Sequence, residues 1–488
     1  MDTAQIASTA VSYWPLVVLA VSVVFVVVGI ALLRLHPFVV LMLAAILVGL
    51  MSARLPGVPP ANALVQAIEL PMTEFGTAAG RIAFIILLAS IIGMCMLDSG
   101  AADRIVRRIM AVLGEQRAAL ALLASGFLLS IPVFFDTVFF LLVPLARALA
   151  LRTGRDYMLY VMAISAGGVL THSLVAPTPG PLLVAEALRP AGVDLGVSMV
   201  GGLVAGLPPA IGALYLIRWL NRRIPVPVRD TPGASLADLN VIANRPDADL
   251  PGFGVSLLPI VLPVVLIATT SFVAMAQASL PSVVAALGAP ESFVRIKYWV
   301  DFVGNRNVAM LIGTAIALML LARQKRMGMR QLGDAMGPPI EMAGVIILIT
   351  AAGGAFGAMI RHSGVGDVIG VLARGYGINL VLLAWSVTAV IRLAQGSATV
   401  AMVTGVGLMA AIIGDGSSLP FHPLYLFLAI GFGSMIGSWM NDSGFWVVGK
   451  LSGFTERETL MTWTVLTTFV SIVGLIEVLV ASYVLPLR

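Results

Sequence analysis

The chain has 488 residues, 59% hydrophobic and only 11% charged, where a soluble globular chain carries about 25% charged residues. That balance excludes a large soluble enzyme or binding domain. The net charge of +5 does not mark a nucleic-acid partner, because the basic residues sit in short loops between apolar runs, where membrane topology accounts for them.

Met1–Ser12 holds Asp2 and no Lys or Arg, so the first apolar run, 13–33, is predicted as a retained helix and not a cleaved signal. Apolar segments follow at 37–53 and 82–97, then a long one at 118–146. Next come 157–188, interrupted near its middle, and 197–217. The stretch 218–254 is rich in Pro and charge and reads as a cytoplasmic linker. Beyond it lie 255–276, 308–322, 342–360, a long run at 378–414, an interrupted 424–449, and 461–485. The domains are therefore one membrane unit over 13–217 and a second over 255–486. Several runs approach the roughly 20 residues that a bilayer-spanning helix needs. Cys95 is the single cysteine, so no internal disulfide and no cysteine metal cluster is available.

The two units carry one pattern twice. Residues 78–110 and 342–374 align at an offset of 264, with Ser99-Gly100-x-x-Asp103 opposite Ser363-Gly364-x-x-Asp367. Further on, Val175–Gly180 lies opposite Met440–Gly444 with the offset slipped by one. Related halves in a strongly apolar chain point to a secondary transporter with its site where the repeats meet. The Ser-Gly-x-x-Asp copies lie at helix ends and read as turns or caps.

Segments 118–146 and 378–414 decide the topology. Segment 118–146 has a polar break in its middle, and its two arms of about 15 residues reach only about 22 Å each at 1.5 Å per residue; segment 378–414 is ambiguous in the same way around Arg392–Thr399. The hydrocarbon core is about 30 Å thick. Each segment is thus one long helix or a re-entrant hairpin. With the N-terminus outside, the hairpin reading puts 19 of the 29 Lys and Arg inside and 9 outside, which obeys the positive-inside rule. The predicted fold is an all-α polytopic membrane protein of two inverted five-helix repeats. Each repeat has a re-entrant hairpin and a broken helix, giving ten spanning helices, two hairpins and both termini outside.

Non-helical backbone at membrane depth is tolerated only where protein or a water-filled cavity covers it. Half-helix N-termini there carry partial positive charge that suits an anion. Four such places exist. The first hairpin tip runs from Ser130 through Pro132 to Asp136 and Thr137. A carboxyl deep in an apolar run is rare and points to function. Asp136 is a candidate proton carrier, the alternative being a structural cap of the tip. The second tip holds Arg392, Gln395, Gly396, Ser397 and Thr399. A mid-membrane Arg is unfavourable by about 2.5–3.5 kcal/mol on insertion scales, so it needs a partner: Asp136, Asp442 or a substrate carboxylate. The neutral polar residues beside it are candidate substrate contacts.

In the first interruption, His172 is a candidate proton group, and Ser173, Thr178 and Gly180 are candidate substrate contacts; three prolines and a glycine over 177–181 break the helix. In the second, Asn441, Asp442, Ser443 and Gly444 favour an unwound turn. Asn441 and Ser443 are read as substrate contacts and Asp442 as a proton group, with capping of the break as the alternative. Trp14, Trp219, Trp299 and Trp463, near segment ends, are predicted as interfacial anchors. No Walker A, zinc or dinucleotide motif appears, so no cofactor is implied.

Taken together, His172-Ser173 with Pro177–Pro181, Arg392-Leu-Ala-Gln395-Gly396-Ser397-Ala-Thr399 and Asn441-Asp442-Ser443-Gly444-Phe445-Trp446 with Leu460-x-Thr462-Trp463 resemble the gluconate:proton symporter (gluconate permease) family of the ion-transporter superfamily. The likeness runs nearly end to end. It implies proton-coupled uptake of gluconate or a related small hydroxylated carboxylate across the bacterial inner membrane. It further implies an elevator-like motion and a homodimer. The chain has Pro177-Thr178-Pro179 where the family commonly has Pro-His-Pro, which removes a protonatable group. A shorter hydroxy acid, another sugar acid or a polar amino acid therefore stay open as substrates. So do sodium coupling through the small hydroxyl and amide groups, and a passive facilitator. An intramembrane hydrolase built on Asp136 with Asp442, or Ser443 with His172, is the remote alternative.

Overall fold

The computed structural model describes residues 13–52, 62–229, 249–279, 290–365, 368, 379–417 and 419–487. Among them the regular structure is helical, without strands. Seven stretches are long and apolar enough to cross a membrane, including Ala63–Asp98, Leu195–Arg223, Arg306–Lys325 and Glu456–Val484. Outward-facing Phe140, Ile211, Val265, Ile476 and Val480 are exposed, as side chains on lipid would be.

In the first half, α1 (Trp14–Val27) ends in a π-helical turn, and α2 (Pro37–Met51) starts on a proline whose missing N–H costs nothing in a first turn. The next helix, α3 (Ala63–Asp98), begins nineteen residues before the expected 82, because the polar stretch around Glu69–Glu74 continues the helix beyond the apolar run. Gly100, at φ 76°, turns the chain into the amphipathic α4 (Ala101–Leu113). Two interrupted pairs follow: α5 (Ala118–Leu129) with α6 (Phe135–Thr153), then α7 (Tyr157–Leu174) with α8 (Pro179–Leu188). The half closes with α9 (Leu195–Ala205) and α10 (Leu207–Arg223); Asp194 caps α9 by accepting from the Gly196 and Val197 N–H groups.

The second half follows. It runs through α11 (Phe253–Ser279), α12 (Pro290–Val303), α13 (Arg306–Lys325), α14 (Met329–Ala335) and α15 (Gly337–His362). Its interrupted pairs are α16 (Leu380–Gln395) with α17 (Ala398–Ile413), and α18 (Leu424–Gly433) with α19 (Ser443–Ser452). Last come the single turn α20 (Glu456–Thr459), a π-helical turn over Leu460–Thr464 and α21 (Val465–Val484). Asp367, from the second Ser-Gly-x-x-Asp copy, lies outside the described residues.

Helix α15 is the centre of the packing, lying against α3, α2 and α17. Where it meets α17, a Cβ on Gly357 would stand 2.8 Å from the Gly407 Cα, so the two helices touch backbone to backbone. His362 on α15 and Glu74 on α3 meet at 3.0 Å, and Arg306 at the start of α13 pairs with Glu186 of α8. At least one arm in three of the interrupted pairs is short. At 1.5 Å per residue, α5 reaches about 18 Å and α18 about 15 Å, well under a bilayer core of about 30 Å. The breaks between such arms lie inside the protein, and all four face one another.

Candidate functional site

A cavity of about 500 Å³ lies where the four breaks converge. Its walls come from Phe134–Thr137 of the first α5–α6 break, from His172, Ser173 and Pro179, from Arg392 and Ser397–Thr399, and from Ser434, Met435 and Asp442–Gly444. Met342 and Ile346 of α15 add an apolar wall, and Trp463 another. Small-molecule sites span about 300–1,000 Å³ and combine apolar walls with a few converging polar groups, which describes this one.

The first half supplies open polar groups. Pro132 lies in the break after α5, and α6 starts at Phe135, so Asp136 falls in a helical first turn, exposed to the cavity. Thr137 lines the wall beside it. His172 and Ser173 close α7, and both the His172 Nδ1 and the Ser173 Oγ are buried without a protein partner. Ser130, also unpartnered, lies behind the tip rather than on the cavity wall. Thr178 turns inward, its hydroxyl donating to the Val175 carbonyl at 2.5 Å. Gly180 packs under Met402, where a Cβ would stand 2.1 Å from the Met402 methyl. These last three residues are outside the cavity lining.

The second half supplies a closed network. Arg392, whose side chain is 4% exposed, donates from Nη2 to the Asp442 Oδ2 at 2.5 Å. The same Oδ2 accepts the Ser438 hydroxyl, and Oδ1 accepts the Gly444 N–H at 3.1 Å, capping α19. The Asp442 carboxylate is thus held by three donors. Arg392 is held on one side only: its Nε and Nη1 are buried with no protein acceptor. A guanidinium offers five donors in a planar fork suited to two carboxylate oxygens. An unmade hydrogen bond at a buried charged group is costly, so the idle donors of Arg392 favour an incoming anion.

Backbone at the second break is stitched to the last helix. The Ser438 carbonyl accepts from the Thr464 hydroxyl at 2.5 Å, its N–H donates to the Thr467 Oγ1 at 3.3 Å, and the Gly437 N–H donates to the Thr468 Oγ1 at 3.2 Å. Those bonds satisfy groups that an unwound helix would leave orphaned. Gly396 takes φ 87° at the second tip, and a Cβ there would meet the Asn441 carbonyl at 2.1 Å, so tip and break interlock. The Asn441 amide and the Trp439 indole both donate to the Leu393 carbonyl, at 2.9 and 3.1 Å. Asn441 therefore fastens the second tip, while Ser443 and Thr399 face the cavity. Ser397 caps α17 at the Val400 N–H. The side chain of Gln395 lies outside the described ones.

Trp463 requires a correction. Its position near a segment end predicts an interfacial anchor, yet it is 2% exposed and lines the cavity. Its ring stacks on Phe135 at 5.4 Å between centroids, and its Nε1 donates to the Ser438 Oγ at 2.6 Å. The π-helical turn at Leu460–Thr464 precedes α21 and carries the indole in a buried position, where a polar partner exists. Met342 and Ile346 are also absent from the expected site; nothing in an apolar helix distinguishes the two that meet a cavity. Trp14, Trp219 and Trp299 are exposed on outer surfaces, as anchors would be.

The profile described as GntP family permease matches residues 14–484. The chain is 35% identical over 473 residues to a gluconate permease of Pseudomonas aeruginosa, covering 95% of this chain and 97% of that one. It is 31% identical to the Gnt-II system L-idonate transporter of Escherichia coli, covering 96% of this chain and 100% of that one. Among solved structures, the fold is similar to that of Neisseria gonorrhoeae MtrF, with TM-score 0.64 and 14% identity over 93% of this chain and 96% of that one. It is similar also to the YdaH transporter of Alcanivorax borkumensis, with TM-score 0.62 and 17% identity over 92% of this chain and 99% of that one.

Proposed function

We infer, because the chain belongs to the GntP family of permeases, that it carries gluconate or a related small hydroxylated carboxylate across the bacterial inner membrane together with a proton. A permease and not an enzyme, it has no bond to break, and the chemistry to explain is recognition and coupling. The observation that carries the reading is the half-used Arg392: Asp442 holds Nη2, and the buried Nε and Nη1 donors have no protein acceptor. The hydroxyls of Thr137, Ser173, Thr399 and Ser443 line the same cavity and suit a polyol chain.

Coupling follows from the charges. The ionisable groups on the cavity wall are Asp136, His172, Arg392 and Asp442. Arg392 and Asp442 cancel. An ionised Asp136 then leaves the cavity negative and repels a second anion; a protonated Asp136 leaves it neutral. At an effective dielectric of about 20, two like charges 4 Å apart repel by about 4 kcal/mol, enough to make proton and carboxylate bind as a pair. We assign the proton to Asp136, and Asp442 to holding Arg392.

The duplicated order of interrupted helices supports two inverted repeats, over 13–217 and 255–486, each with a re-entrant hairpin, moving against a frame centred on α3 and α15. The loop charges put both termini outside, and labelling of single cysteines from either side of the membrane tests that. The function is tested in proteoliposomes: an inward proton gradient should drive gluconate accumulation. Accumulation with an inward sodium gradient alone would replace the proton with sodium, and equilibration without accumulation would make the protein a facilitator.

A further inference from the structure

We propose that Trp463 is a positioning residue for anion recognition, acting through Ser438 and Asp442 on Arg392. The inference rests on the reading that Arg392 takes the substrate carboxylate, and adds a residue at the far end of the network that aims it.

The relay is directional. The Trp463 indole can only donate, and its Nε1–H occupies the Ser438 Oγ at 2.6 Å. Ser438 has one hydroxyl proton, and with a donor already seated on its oxygen that proton goes to the Asp442 Oδ2. Gly444 N–H fixes the other carboxylate oxygen. The carboxylate is held at both oxygens, so the Arg392 Nη2 meets it at a single place, and the Nε and Nη1 donors are left without a protein acceptor. Trp463, Ser438 and Arg392 are each under 5% exposed, so water does not compete for these bonds.

The same indole is tied to the other half of the molecule. Its ring stacks on Phe135, one residue before Asp136, at 5.4 Å and 26° between planes. One side chain therefore bridges the proposed proton carrier's helix and the anion anchor. A residue with only a packing role would need the ring and not the N–H; every other indole nitrogen drawn into the second break, those of Trp439 and Trp446, bonds a backbone carbonyl, whereas Trp463 bonds a side chain that continues to an ion pair.

The test separates aim from packing. Trp463→Phe keeps the ring on Phe135 and removes the N–H; Ser438→Ala breaks the relay one step later. Affinities for gluconate and for its uncharged amide, gluconamide, are measured on the full-length protein by calorimetry, with KM and Vmax for gluconate in proteoliposomes. Each variant should bind gluconate about tenfold more weakly, the effect of one hydrogen bond to a charged group. Gluconamide affinity and Vmax should stay within about twofold, and the double variant should be no worse than either single one, because both cut one chain. Equal weakening of both ligands, additive effects in the double variant, or unchanged gluconate affinity in both singles overturns the relay. Arg392→Gln in the same assay separates the underlying reading. If it keeps the preference for acid over amide, Arg392 does not take the carboxylate and both ideas fall. If it loses that preference while Trp463→Phe keeps it, only the relay falls.

Discussion

The two halves line one cavity with opposite kinds of polar group. In the first half, Asp136 stands exposed at a helix start, and His172 Nδ1 and Ser173 Oγ lack protein partners. In the second, Asp442 is held by Arg392, Ser438 and the Gly444 N–H, and the backbone at 437–438 is bonded to Thr464, Thr467 and Thr468. An unsatisfied group is free to change protonation or take a ligand; a saturated one is fixed in place. The contrast is between open groups around Asp136 and a fixed carboxylate at Asp442, beside which only Arg392 keeps idle charged donors.

The division breaks most visibly at Arg392. Arg392→Gln leaves the Asp442 charge buried and unpaired, and breaking such a pair costs about 3–5 kcal/mol. Gluconate uptake in proteoliposomes should fall by more than about a hundredfold in kcat/KM. Asp136→Asn should act on coupling: accumulation driven by a proton gradient is lost, while exchange of labelled for unlabelled gluconate continues. The pH dependence carries the sign. Protonating Asp136 removes a negative charge from the cavity, so gluconate KM should be lowest at acidic pH and rise as Asp136 ionises, and the Asn variant should be flat. A variant that still accumulates gluconate on a proton gradient would move the proton elsewhere.

Asp442→Asn sharpens the contrast. It should weaken gluconate binding about ten- to a hundredfold and lower thermal stability, because Arg392 loses its counter-charge. With Arg392 no longer cancelled, an ionised Asp136 leaves the cavity neutral, so gluconate KM should lose its rise with pH; a KM that still rises as Asp136 ionises would break the charge account. The smallest effect belongs to the stitching: Thr467→Val removes one acceptor from the Ser438 N–H and should destabilise by about 1 kcal/mol, read as a small drop in melting temperature with coupling unchanged.

Much of this site is legible in sequence because backbone breakers are local. Pro132, Pro177–Pro181, Gly396 and Asn441–Gly444 cannot sit in a regular helix interior without cost, so the four breaks are readable from residue type alone. The same holds for Asp136 and Arg392, whose charge in an apolar run is anomalous wherever the chain goes. Trp463 was not legible as a cavity residue, because the end of an apolar segment looks the same whether it faces lipid or protein. A signal existed in the polar stripe Thr464, Thr467, Thr468 and Ser471, which at a spacing of three and four lies on one helix face turned inward. Ser130, Thr178 and Gly180 sit in the right breaks and miss the cavity, since a break names a neighbourhood and not a direction.

Sequence by itself determined that the chain is a polytopic membrane protein with four interruptions, because hydropathy and breaker residues act over a few turns of one helix. Which partner Arg392 takes was a choice among Asp136, Asp442 and a substrate carboxylate, and only the tertiary structure decided it for Asp442. The reason is distance: α16 and the start of α19 are fifty residues apart in the chain, and a buried charge pairs with whatever the packing brings within about 3 Å, not with what is near in sequence. The idle donors of the guanidinium, the indole bonded to Ser438 and the open carboxyl of Asp136 come together only once those breaks are packed against each other.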